Sequence, residues 1–113
     1  MDCLFCKIVA GEIPSNKVYE DEMIYAFHDI NPMAPTHILI IPKEHIASSM
    51  NDITGESSPC IARIFEKIPQ IAKQAGLTGG YRVICNCGPD ADQTILHLHF
   101  HLLGGKKLSA NLG

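Results

Sequence analysis

Apolar and polar positions alternate in several short runs along the chain, and one longer stretch repeats at three to four residues. Alternation reads as half-buried strand and the longer period as helix. Lys17–Glu20 and Met23–Asp29 alternate and are parted by Asp21-Glu22, which predicts two short strands and a turn. Thr36–Ile41 is almost wholly apolar before Pro42, as expected of a central strand buried on both faces. Ile30–Pro35 carries two prolines and is expected to be a loop. Ile61, Ile64, Phe65, Ile68, Ile71, Ala72 and Ala75 trace a helical stripe, with Ser58 as cap, Pro59 in the first turn and Gly76 as the stop. Pro69 falls inside this pattern and is expected to kink the helix or end it near Ile68. A short helix from Cys3 to Ala10 is predicted, capped by Asp2, stopped by Gly11, with Leu4, Phe5, Ile8 and Val9 on its apolar side. Tyr81–Asn86 reads as a further strand, followed by a turn over Gly88–Gln93.

The last alternating run, Thr94–Leu103, is closed by Gly104-Gly105. Here His97, His99 and His101 take every second place between Leu98, Phe100 and Leu102. In a strand the histidines share one face and the large apolar residues sit in the core. Two helices and about five strands, joined mostly by short turns, predict an α+β fold with a helix on an antiparallel sheet.

Length and charge narrow the field. A chain of 113 residues fits one domain, residues 1–113. A formal charge of −3 offers no basic field for nucleic acid. No run approaches the roughly 18 apolar residues of a membrane span, and no signal-peptide pattern opens the chain. Five cysteines without an export signal favour a reducing, cytoplasmic compartment and free or metal-bound thiols. Cys3-Leu4-Phe5-Cys6 can grip one zinc ion, act as a redox pair, or simply be two core cysteines of a helix. Cys85 and Cys87 read as ordinary residues. The 88–93 turn could wrap an anion through its N–H groups, although Asp90 and Asp92 would repel one.

Three histidines in register are a poor choice for a plain solvated strand, because imidazole switches between donor, acceptor, nucleophile and ligand near neutral pH. As zinc ligands they fit badly: three along a strand span about 13 Å, too far for one tetrahedral ion. No neighbouring carboxylate offers itself as general base. Nucleophilic catalysis fits better, one imidazole attacking phosphorus while the next binds the phosphate. An isolated His37 at the head of the central strand reads as structural or supporting.

His97-Leu98-His99-Phe100-His101-Leu102-Leu103 resembles the motif of the histidine triad (HIT) superfamily, with apolar residues between and after the histidines. Phe5–Ile8, Glu12–Pro14, Ala26–Ile30, Ala34–Lys43, Gly80–Arg82 and Leu103–Gly105 are similar, in order, to its HINT branch. The resemblance implies a HIT-like five-stranded antiparallel sheet with one long and one short helix, dimerising into a ten-stranded sheet. It implies hydrolysis of purine nucleoside 5′-phosphoramidates of the AMP-amine or AMP-lysine type, through a nucleotidyl-histidine and without a catalytic cofactor. By it, His99 is the nucleophile, His101 bonds the α-phosphate, His97 orients the nucleophile largely through its backbone, and His37 supports them. Gln93, Thr94 and Asn86 match contacts to the phosphate and leaving group, and Asp29 the ribose-binding acid. Phe5, Ile8, Phe27, His28, Ile30 and Leu39 match the purine pocket, and Ile95 joins the substrate-binding set. It also implies a structural zinc on Cys3, Cys6, His45 and His97. The chain departs from the branch at Thr94, usually serine, at Asp90-Ala91-Asp92, usually richer in glycine, at Leu96, usually aromatic, and in a tail without tryptophan. A purine-nucleotide-binding or scaffolding protein with weak catalysis, and a zinc-dependent hydrolase, are the rival readings.

Overall fold

The computed structural model of the protein describes residues 3–112. Helix α1 spans Leu4–Val9 and helix α2 Ser58–Gln74. The strands are β1 (Lys17–Glu20), β2 (Ile24–His28), β3 (Thr36–Pro42), β4 (Tyr81–Ile84) and β5 (Phe100–Gly104). They form one five-stranded sheet in the order β1-β2-β3-β5-β4, with every neighbouring pair antiparallel. The fold is α+β, as the sequence pattern predicts.

Because successive side chains alternate across a strand, β2, β3 and the histidine segment divide their residues between two layers. Ile24, Ala26, Ile38, Ile40, Leu98, Phe100 and Leu102 pack with Cys60, Ile64, Ile68, Ile71 and Ala72 of α2. Tyr25, Phe27, Leu39 and Ile41 pack with Cys3, Phe5 and Ile8 around α1. The histidines belong to this second side. It is a covered face: His97 is fully buried, and His99 is only 7% exposed.

Several boundaries differ from expectation. The proposed cap Asp2 lies outside the described residues; Cys3 is the N-cap, its sulfur accepting from the Cys6 N–H at 3.4 Å. Leu4 stays 42% exposed, since a six-residue helix can press only one narrow face on the sheet. Helix α2 runs unbroken through Pro69 to Gln74. Pro69 and Phe65, whose carbonyl loses its partner, both lie on the exposed side. Water can satisfy that carbonyl there, while Ile64, Ile68 and Ile71 hold the other side to the sheet. Phe65 is accordingly half exposed and meets Phe100 edge-on at 5.2 Å. A Schellman motif ends α2: Leu77 N–H bonds the Ala72 carbonyl at 2.9 Å and Gly76 N–H that of Lys73 at 3.1 Å.

Regular pairing of the histidine run begins only at Phe100, so His97 and His99 precede β5 rather than sit within it. Gly105, at φ +93, closes the run against the head of β3: a Cβ there would lie 2.9 Å from the Pro35 side chain.

Candidate active site and metal cluster

The histidine run forks. At its start, His97 donates from Nε2 to the Pro42 carbonyl at 2.9 Å, which leaves Nδ1 with a bare lone pair. That lone pair faces Cys3 Sγ at 3.2 Å and Cys6 Sγ at 3.6 Å. His45 Nδ1 closes the group, 3.7 Å from Cys6 Sγ. A tetrahedral zinc with Zn–S near 2.3 Å and Zn–N near 2.0 Å sets sulfur–nitrogen edges of about 3.5 Å. The four ligand atoms, all within 4.8 Å of one another, therefore could hold a metal ion. Two thiols and two imidazoles make a closed donor set, and the Pro42 bond fixes the tautomer that His97 would need. None of the four residues lines the cavity beside the other histidines.

That cavity, about 560 Å³, is of nucleotide size. Phe5 and Ile8 come to it from α1, Phe27, His28 and Asp29 from the end of β2, His37 and Leu39 from β3. Ile30 joins them at the rim, 87% exposed. Asn86, Asp92, Thr94 and Ile95 approach after β4, and His99 and His101 complete the wall. Phe5 sets its ring edge-on to His99 at 5.1 Å and to Phe27 at 5.7 Å. The loop residues Ile13, Pro14, Ser15, Asn31 and Met33 also line it, and so does Leu4. Sequence patterning gave no sign of the loop residues, which carry no periodicity, and marked Leu4 only as part of the apolar side of α1.

Backbone groups fix the protons of the catalytic candidates. His99 Nδ1 donates to the His97 carbonyl at 2.7 Å, so Nε2 keeps its lone pair. Met33 N–H donates to His37 Nδ1 at 3.0 Å, which puts the His37 proton on Nε2. That proton goes to His101 Nδ1 at 2.8 Å, and His101 must then carry its own on Nε2. Among the described residues, His101 Nε2 is the one buried side-chain nitrogen or oxygen without a partner. Such a group costs about 1–3 kcal/mol unless something bonds it. The site thus presents a bare imidazole lone pair and, on the next ring 5.1 Å away, an unused N–H.

Burial pushes His99 below its ordinary value, against the opposing pull of the His97 carbonyl and Asp29. Burial, helped by His99 and His37, takes His101 down to about 4. His37 is lowered by burial too, with Asp29 opposing. In all three, burial favours the neutral ring. Asp29 holds the Asn31 N–H at 2.8 Å and reaches His37 Nε2 at 3.5 Å with its other oxygen.

Gln93 does not line the cavity. Its Nε2 donates to the carbonyls of Ser48 at 2.6 Å and Ile95 at 3.1 Å, and its Oε1 accepts from Gly88 N–H at 3.1 Å. The anion-wrapping turn is not available either: the N–H groups of Gly88, Ala91, Asp92 and Gln93 are all bonded within the loop.

An antiparallel sheet that brings two histidines, His101 on the inner strand β5 and His99 just ahead of it, to a nucleotide-sized cavity is the arrangement of the histidine triad class of domain. The HIT domain family model matches residues 10–108, and the chain belongs to that family. A HIT family hydrolase from Legionella pneumophila has a similar structure, with TM-score 0.94 and 46% identity, covering 99% of this chain and 100% of that one. A purine nucleoside phosphoramidase of Escherichia coli K12 is 43% identical over 112 residues, 98% of this chain and 93% of that protein. A 14 kDa zinc-binding protein of Zea mays is 45% identical over 107 residues, 94% of this chain and 84% of that protein.

Proposed function

We propose that the protein hydrolyses purine nucleoside 5′-phosphoramidates through a nucleotidyl group carried on His99. The observation that carries this reading is the pair of ring atoms facing one cavity, the bare His99 Nε2 and the unpartnered His101 Nε2–H. His99 Nε2 attacks phosphorus and the P–N bond to the amine breaks. His101 donates to a non-bridging oxygen as charge gathers there. The nucleotidylated ring is an imidazolium, and its Nδ1–H bond of 2.7 Å to the His97 carbonyl strengthens as that charge forms. The departing amine takes a proton relayed from water by the Thr94 hydroxyl. The hydroxide left by that water then cleaves the His99–phosphorus bond, giving nucleoside monophosphate and the free ring. One water is consumed, and its two hydrogens end on the amine and the phosphate. In this reading Asp29 accepts from the ribose diol, and Phe5, Ile8, Phe27 and Leu39 enclose the base, with His28 and Ile30 at its outer edge.

Zinc in the Cys3, Cys6, His45, His97 cluster would cross-link α1 to the histidine run and fix the backbone of His97, which orients His99. Its role is structural, since the cluster stands apart from the cavity. Strand β4 is a sheet edge, and Tyr81 on it is 42% exposed. Pairing of that edge with a second copy would give a ten-stranded sheet, and we read the protein as such a homodimer, one domain per chain. Its five free thiols suit a reducing cytoplasm. Among the described residues no helix is long and apolar enough to cross a membrane.

Mass spectrometry of His99 after rapid quench with an AMP-amine should find an AMP adduct on that ring. His99→Ala should stay folded and lose turnover. Full turnover by that variant, or an adduct on another residue, would overturn the reading, and tight AMP binding without any turnover would favour a binding protein instead.

A further inference from the structure

We propose that Asp92 makes the site select nucleotide conjugates whose group on phosphorus carries a positive charge. This rests on the reading above for where phosphorus sits.

Topology places Asp92 on the leaving-group side. His101 is flanked by Leu39 of β3 on one side and Ile84 of β4 on the other. Asp29 lies on the β3 flank, 3.5 Å from His37. Asn86, Asp92 and Thr94 follow β4 and line the same cavity from the opposite flank. With the sugar held at Asp29, the remaining substituent on phosphorus points toward Asp92.

The charge of the cavity gives the chemistry. Among the described residues, no lysine or arginine lines it, whereas two carboxylates do, Asp29 and Asp92. A phosphate anion therefore enters a wall of its own sign, and Asp92 repels it unless the substrate brings a cation of its own. Asp29 has an assigned task and bonded neighbours. Asp92 is exposed, and its carboxylate has no hydrogen-bond or ion-pair partner among the described residues. It is also the non-glycine residue there with positive φ, at 60°, ψ 40°. Asparagine and aspartate tolerate this left-handed conformation best after glycine. A substituent on phosphorus ending in an ammonium or guanidinium would meet Asp92 at the cavity mouth, whereas an anionic one would meet a second repulsion.

The test compares three AMP phosphoramidates of equal chain length, ending in ammonium, methyl or carboxylate. Wild type is expected to favour the ammonium amide over the methyl amide by about tenfold in kcat/KM, with the carboxylate amide slowest. That is the scale of one partly solvated unit-charge pair. Salt should shrink the preference as screening grows. Asp92→Asn keeps a residue that accepts the backbone conformation and removes only the charge, so the ammonium-to-methyl ratio should fall to near one. Each ratio is taken within one protein, so a general loss of activity cancels. Equal ratios in wild type and variant, or a ratio indifferent to salt, would overturn the proposal. Calorimetry with the matching uncleaved AMP alkyl esters separates the two readings. Discrimination in binding that depends on Asp92, with no amide cleaved, would sink the hydrolase reading and leave the selectivity standing. Cleavage without discrimination would sink the selectivity alone.

Discussion

Replacing Gln93 with alanine tests whether this side chain holds the loop or the substrate. Its amide ties three backbone segments together, at Gly88, Ser48 and Ile95, with bonds of 3.1, 2.6 and 3.1 Å. All three are partly buried, so the partners left behind are not freely hydrated. At about 0.5–1.5 kcal/mol per bond, with some recovery through water, the expected loss is roughly 2–3 kcal/mol. For a chain of this size that lowers the midpoint by about 8–12 °C. The resemblance to the HINT branch implies a different role, a contact to phosphate. Thermal unfolding and single-turnover kinetics of Gln93→Ala distinguish the two. A loop clamp loses midpoint first, and Asn86, Asp92 and Thr94 lose their placement with it. Gln93→Glu should fare no better, since a carboxylate cannot donate to the Ser48 and Ile95 carbonyls. An unchanged midpoint together with a hundredfold fall in the chemical step would refute the clamp.

Three further outcomes are expected. A zinc chelator, or Cys3→Ser, should lower the unfolding midpoint and release metal measurable by mass spectrometry, because the donors join α1 to the histidine run; an unaltered midpoint would remove the structural role. Asp21 is held down to about 2: burial opposes this, but bonds from Met23 N–H, Tyr19 OH, Ile24 N–H and Arg63 outweigh it. Its folded value lies below the unfolded one, so its contribution, on the order of 2 kcal/mol, is present above about pH 4 and lost as pH falls toward 2. Denaturant midpoints of wild type and Asp21→Asn should converge over that window; a gap that persists at pH 2 would contradict the linkage. Gly105→Ala puts a side chain at φ +93 and 2.9 Å from Pro35, and should cost about 2 kcal/mol by denaturation; a neutral result would mean that the head of β3 moves freely.

Period and residue type determined a large part of this protein. Lys17–Glu20 is a strand to the residue, because alternation between turn residues leaves little choice of boundary. The α2 stripe and the apolar β3 were equally plain, since both depend on local spacing and burial. The histidine row and the Cys-x2-Cys pair could be singled out as chemistry, because few plain surfaces use such residues at such intervals. What one imidazole does and its neighbour does not was settled only by tertiary contacts. His97 turns to the thiols because the Pro42 carbonyl takes its other nitrogen, and His99 is left bare because the His97 carbonyl takes its Nδ1 proton. His101 owes its unused N–H to a chain that starts at the Met33 amide, 68 residues earlier in sequence than the ring it governs. Gln93 reads as a substrate contact by position and as a clamp by its three partners, and Pro69 reads as a helix breaker until the exposed side of α2 is seen to receive it. A proton's place on a ring depends on which carbonyl or amide lies opposite, and the pattern along a chain does not encode that.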